Sequence, residues 1–302
     1  MITIKTPQEI TIMAEGGKIL TKIMQELEKA VRPGIATKEL DRLAESLISC
    51  PPKPCLPTEA LAKVGAKADK IKCSFKGYQG FPACLCTSIN EEIVHAIPSS
   101  RILKEGDIIS LDLGMQYKNF HTDMAITVPV GKISPIAEKL IEVTEKALEI
   151  GIEKVKPGNY LGDISRAIQK YVESQNFNVV RELCGHGIGR NIHEDPEILN
   201  SVSMPIVDKV YPVRSPFRYL RNGSRLRRLT SNGVKYFGDA KIKLKEGMVL
   251  CLEPMVTVGD WRIKKSADGY GWQTKDSSLS CHFEHTVAVV KDGFQILTQL
   301  EQ

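Results

Sequence analysis

Asp107–Asp123 reads DIISLDLGMQYKNFHTD. It holds two apolar runs, each of a length that suits a buried strand, joined by a polar break. Two carboxylates interrupt the pattern. Asp112 stands where another aliphatic is expected, and Asp123 follows eleven residues later. In a hairpin, directly opposed residues have a constant index sum. A turn at Tyr117-Lys118 gives a sum of 235 and predicts Asp112 opposite Asp123. Like charges opposed on neighbouring strands repel, and burying them unpaired costs several kcal/mol or more. A cation is expected between them, and a divalent metal is the simplest choice. The competing reading makes both residues ordinary turn formers at the ends of a hairpin.

Three further residues stand in comparable places. Glu253 ends the apolar run MVLCLE, Glu284 lies inside SLSCHFEHTVAVV, and His186 lies in CGHGIG, whose glycines are expected to let the backbone turn tightly around the imidazole. Four carboxylates and one histidine suit a hard, oxygen-rich site for Mn, Fe, Co or Zn. That charge is too great for one ion and fits two. Two ions roughly 3.5–4 Å apart can activate a bridging water for hydrolysis. Taken singly, His186 could be a satisfied core histidine, Glu253 a strand cap before Pro254, and Glu284 an exposed acid on an edge strand.

A repeat joins these residues. VRPGIATKELDRLA from Val31 echoes VKPGNYLGDISRAI from Val155, and LKEGDIISLDLG from Leu103 echoes LKEGMVLCLEPM from Leu244, in the same order. Each half has a Pro-Gly turn, a helix and later a glycine-led apolar strand. In the second pairing Asp112 falls on Glu253. The expected architecture is α/β (α+β), with two related halves and the site between them. Helices are predicted at 7–29, 37–47, 134–150 and 161–174. Strands are predicted near 87–90, 108–113, 123–128, 248–252 and 283–290, mostly antiparallel.

The chain has 302 residues, 42% hydrophobic and 25% charged, as for an ordinary globular protein with a sizeable core. No apolar run reaches the roughly 18 residues of a membrane span. The start MITIKTPQEI lacks the features of a secretory leader, so a cytoplasmic protein is expected, with its eight cysteines as free thiols. Net charge is +5, and the segment 200–240 carries eight Lys and Arg against two Asp. One segment therefore accounts for the whole basic excess.

Five stretches resemble the type I methionine aminopeptidases, which have the pita-bread fold. They are YQGFPACLCTSINEEIVHAIP (78–98), LDLGMQYKNFHTD, CGHGIGRNIHEDP, LEPMV and TKDSSLSCHFEHT. The resemblance covers about residues 2–49, 74–199 and 242–300. It implies one catalytic domain over 1–302, with two pseudo-symmetric halves and an antiparallel sheet covered by helices on its outer face. It also implies a site in which Asp112, Asp123, His186, Glu253 and Glu284 bind two divalent ions (Co, Mn, Fe, Zn or Ni), with Asp123 and Glu284 bridging. Glu253 would be the general base. His193 would polarise the scissile carbonyl, and His95 would contact the substrate near the scissile amide. Tyr78, Phe81, Cys86 and Tyr270 would line the methionine pocket, although the first three could equally be core. The implied reaction is removal of the initiator methionine from nascent chains when the second residue is small. Xaa-Pro peptidases, or a non-catalytic RNA- or protein-binding relative of the same fold, are the alternatives.

The sequence departs from that pattern in two insertions, at about 50–73 and 200–240. The first contains CPPKPC; Cys50, Cys55 and Cys73 could hold zinc, or the segment is a proline-rich loop. The second holds RSPFRYLRNGSRLRRL and could contact ribosomal RNA, or be a solvated loop. A monomer without membrane attachment is expected.

Overall fold

The computed structural model describes residues 1–50, 71–202, 229–230, 233–234 and 239–299. The rest of the CPPKPC cluster after Cys50, with Cys55, and nearly all of the basic insertion lie outside them. The seven described cysteines are free thiols.

Four helices form among the described residues: α1 (Pro7–Ala30), α2 (Thr37–Ser49), α3 (Pro135–Ile152) and α4 (Leu161–Ser174). All lie within about two residues of the predicted spans. Their starts follow from local chemistry. Thr6 caps α1, and the Glu9 carboxylate accepts a hydrogen bond from the Thr6 backbone N–H. Ser134 caps α3, followed by Pro135 in the first turn.

The main sheet contains β1 (Lys72–Cys73), β2 (Leu85–Ile89), β4 (Ile108–Tyr117), β5 (Phe120–Pro129), β7 (Cys184–Gly187), β8 (Glu194–Leu199), β11 (Val249–Leu252), β16 (Glu284–Val290) and β17 (Gly293–Ile296). The short strands β3 (Glu92–Val94), β6 (Asn178–Val179), β9 (Leu229–Thr230), β10 (Gly233–Val234), β12 (Met255–Thr257), β13 (Ile263–Lys265), β14 (Trp272–Thr274) and β15 (Ser280–His282) form smaller ribbons. The path through the main sheet is β1-β4-β5-β16-β11-β7-β8, and every neighbouring pair along it is antiparallel.

Alternation along the strands separates two faces. Ile109, Leu111, Leu113, Met115, Met124 and Val128 pack with Ile19, Ile23 and Leu27 of α1 and Leu40 of α2. Leu250, Leu252, Val287 and Val289 pack with Leu140 and Val143 of α3 and Ile164 and Ile168 of α4. Thus helices cover one face in both halves. The intervening residues, including Asp112, Asp123 and Glu284, point to the other face, because side chains alternate with a period of two. This is the pita-bread arrangement.

The repeat is visible in the hydrogen bonds. Gly34 N–H donates to Leu103 O at 2.8 Å, and Gly158 N–H donates to Leu244 O at 3.2 Å. Ala36 bridges Ile102 as Tyr160 bridges Lys243. Gly106 and Gly247 both turn with positive φ, at 93° and 86°. In each half a KEG turn therefore feeds a strand that brings an acid to the same place, Asp112 within β4 and Glu253 directly after β11.

The expected pairing of Asp112 with Asp123 is not the one formed. The register places Asp112 opposite Ala125 and Gly114 opposite Asp123. The turn residues are Lys118 and Asn119, with φ 48° and 65°. Positive φ at both central positions is the two-residue hairpin turn whose twist matches that of the strands. This moves the register by two residues. Because the shift is even, both carboxylates still reach the same face, as diagonal rather than directly opposed neighbours.

Candidate metal centre

Glu284 stands at the middle of the site. It pairs with Ala125 across β16 and β5, and Ala125 in turn pairs with Asp112. Asp112, Asp123 and Glu284 each offer an oxygen within 4.8 Å of the others. On the other side Glu253, His282 and Glu284 meet within the same limit, as do His186, Cys251 and Glu284. Asp112, Asp123, Glu253 and Glu284 are all buried. The structure therefore brings together the five residues Asp112, Asp123, His186, Glu253 and Glu284. The reading of Glu284 as an exposed edge acid does not hold, since β16 is paired on both sides.

Burial and the other carboxylates push Asp123, Glu253 and Glu284 well above the ordinary acid range. Burial pushes Asp112 up to about 7, against the hydrogen bond from the Cys86 thiol, which favours the ionised form. Buried Asp112 Oδ1, Asp123 Oδ1 and Glu284 Oε1 have no hydrogen-bond partner among the described residues. Four crowded acids with orphaned oxygens hold their charge only beside a cation. A donor set of carboxylate oxygens and imidazole nitrogens fits first-row divalent metals.

His186 sits on β7, opposite Cys251 of β11. Its flanking glycines do not turn the chain as expected; they permit close approach. A Cβ on Gly185 would stand 2.2 Å from Cys251 O, and one on Gly187 would stand 2.2 Å from Asp195 O. His186 Nδ1 lies 3.0 Å from Gly187 O, which fixes the proton there and turns the Nε2 lone pair towards the carboxylates. Nε2 is 3.7 Å from Glu253 Oε1.

His193 lies beside His186, with ring centroids 4.3 Å apart, and its Nδ1 is 3.2 Å from the Tyr78 hydroxyl. His193 and His95 are held neutral, chiefly by burial and then by neighbouring imidazoles. The loop carrying His193 is pinned by the buried pair Lys5–Glu194 at 2.7 Å. Tyr78, Phe81, Cys86 and Tyr270 share one apolar cluster with Ile192. Tyr270 donates a hydrogen bond to Gly80 O at 2.9 Å and meets the Phe81 ring edge-on, at 5.6 Å between centroids.

Two residues near the centre escape the sequence reading. Cys251 pairs with His186 and contacts the Thr286 hydroxyl at 3.6 Å. His282 is 1% exposed, with Nε2 3.6 Å from Glu253 Oε2. The signal for His282 was the spacing H-x-E in CHFEHT, which in extended chain sends both side chains to one face.

An acid-rich centre on the open face of a repeated antiparallel sheet defines a metal-dependent hydrolase. The model of metallopeptidase family M24 matches residues 11–291, and the chain belongs to that family. It is 42% identical over 300 residues to methionine aminopeptidase 1 of Bacillus subtilis, covering 99% of this chain and all of the relative. It is 35% identical over 298 residues to methionine aminopeptidase of Escherichia coli, covering 98% and 94% of the two chains. The solved methionine aminopeptidase of Thermotoga maritima superposes with a TM-score of 0.78 at 35% identity, over 99% of this chain and all of that one. A prolidase from Pyrococcus furiosus shares the fold at 20% identity, with a TM-score of 0.65. Family membership makes this chain a metallopeptidase and implies divalent metal at the acidic centre.

Proposed function

We propose that this protein is a methionine aminopeptidase acting on nascent polypeptides whose second residue is small. The observation that carries this is the junction at Asp112. A buried acid and histidine cluster adjoins, through the Cys86–Asp112 contact, an apolar cluster of aromatic rings and sulfur. Such surroundings suit a thioether side chain.

Asp112, Asp123, His186, Glu253 and Glu284 would hold two divalent ions. When bound, such ions supply Lewis-acid polarisation of the substrate carbonyl and a nucleophile at neutral pH. Mn, Fe, Co, Ni and Zn all suit the donor set. Glu253 accepts the proton of the attacking water. His193 uses Nδ1 to accept from the Tyr78 hydroxyl and donates from Nε2 to the scissile carbonyl oxygen, stabilising its developing charge. His95 steadies the scissile amide. Tyr78, Phe81, Cys86 and Tyr270 take the methionine side chain, and the free amine sits on the Asp112 side, which restricts cleavage to the first residue.

The working unit in this reading is a single catalytic domain over 1–302, with insertions at about 50–73 and 200–240, acting as a cytoplasmic monomer. No described helix is long and apolar enough to cross a membrane. Contact of the 200–240 insertion with ribosomal RNA is an expectation about residues almost wholly outside those described.

Methionine release from Met-Gly-Met-Met, Met-Lys and Gly-Pro peptides tests the reading, after loading with Mn(II) or Co(II) and against EDTA-treated protein. Release from Met-Gly-Met-Met alone is expected. Asp123→Asn should lower it at least about a hundredfold, the scale on which loss of a central catalytic group is felt. Cleavage of Gly-Pro instead would move the chain to the proline-specific peptidases.

A further inference from the structure

The Glu253 carboxylate is flanked by two imidazoles. His186 Nε2 is 3.7 Å from Oε1, and His282 Nε2 is 3.6 Å from Oε2. His282 Nε2 also lies 4.0 Å from Glu284 Oε2. These separations are too long for a charge-assisted hydrogen bond, which runs about 2.7–2.9 Å. They are the separations expected of two atoms that each stand about 2.1 Å from one shared ion, roughly 3–4 Å. The ring is 1% exposed, and neither nitrogen has a hydrogen-bond partner among the described residues. An orphaned imidazole in a dry acidic pocket is costly unless something satisfies it.

The backbone holds the ring in place. Thr127 Oγ1 donates to His282 O at 2.8 Å and accepts from His282 N–H at 3.1 Å. The Ser110 hydroxyl, 2.8 Å away, completes the set around Thr127. This places the imidazole on β15 facing the two glutamates, much as β7 presents His186 from the other side.

We infer that His282 is a sixth protein ligand of the metal centre, binding through Nε2 the ion held by Glu253 and Glu284. This rests on the metallopeptidase reading of the same site. A second nitrogen donor shifts the preference of that ion's position from Mn towards Fe, Co, Ni and Zn.

The full-length protein, stripped with EDTA and titrated with Co(II), tests this without reference to catalysis. Two readouts are taken on wild type and His282→Gln: the affinity of each ion, and the number of hyperfine-shifted imidazole signals in the proton NMR spectrum. Wild type should bind two ions. His282→Gln should show one shifted imidazole fewer and bind one of the two ions at least about tenfold more weakly, the lower end of the effect of losing a supporting group at a metal site. Unchanged affinities with an unchanged imidazole count would overturn the inference alone. Uptake of no Co(II) by wild type would overturn the metal reading with it. If His282→Gln does not fold, wild type labelled with 15N-histidine decides: the His282 resonance is displaced by the metal, or it is not.

Discussion

Gly185 carries no functional group, yet the position of His186 depends on it. A Cβ there would meet Cys251 O at 2.2 Å, and Glu253 Cγ lies a further shell out at 3.4 Å. A backbone carbonyl cannot rotate away as a side chain tip can, so β7 must separate from β11 in a Gly185→Ala variant. His186 and Glu253 then move relative to one another. The expected outcome is a metal affinity weakened at least about tenfold, with helical circular dichroism retained; calorimetric titration with Co(II) checks it. Gly34→Ala is the control, because nothing lies within 4 Å of its added Cβ, although its φ of 91° costs stability. At this scale the sequence is legible where residue type conflicts with surroundings. An Asp in an aliphatic strand announces itself through its desolvation penalty. His282 does not, because CHFEHT reads much as an ordinary half-buried strand does, and only the fold shows that His282 faces Glu253 and Glu284.

The hairpin β4–β5 shows what is harder to read at the level of elements. Both strands follow from their apolar pattern, but their register follows from the turn, and the turn from backbone angles. Lys118 and Asn119 adopt φ 48° and 65°. Asn enters the left-handed region at modest cost, whereas a β-branched residue there is strained. Asn119→Val should therefore destabilise the protein by about 1–2 kcal/mol in urea unfolding, while Asn119→Gly should leave stability equal or higher. Because the strand pair also carries Asp112 and Asp123, a slip of one residue would send the carboxylate of the displaced strand to the helix face and part it from the other. The variant should therefore lose metal affinity only if the register itself changes. The four helices were legible to within about two residues because caps and 3.6-residue periodicity mark them. Strands of two or three residues, such as β13, β14 and β15, were not, since a run that short has no periodicity to detect.

Across the main sheet the two halves meet where β5 pairs with β16, at Ala125–Glu284 and Met124–His285. Ala125 of β5 lies opposite Glu284 of β16, and the equivalent strands Ile108–Tyr117 and Val249–Leu252 flank it on either side. The acids of both halves thus converge where the halves join, and this sets how the metal-free protein responds to pH. All six histidines of the chain are held neutral by burial. A group whose folded pKa is lowered adds stability as pH rises towards its unfolded value, here 6.5. The four acids act in the opposite sense. Each binds its proton more tightly when folded, so it contributes stability below its unfolded pKa and loses it as pH rises through the folded value, about 7 for Asp112 and well above the ordinary carboxylate range for the others. Above pH 6.5 the histidines contribute nothing further, and only the loss from the acids remains. EDTA-treated protein should therefore have its highest Tm near pH 6.5 and lose stability towards pH 9. Metal-loaded protein should hold its Tm across that range, because the ions replace the protons. Scanning calorimetry from pH 5 to 9, with and without Co(II), measures both curves. Parallel curves with no divergence above pH 6.5 would mean that the four carboxylates do not share a cation.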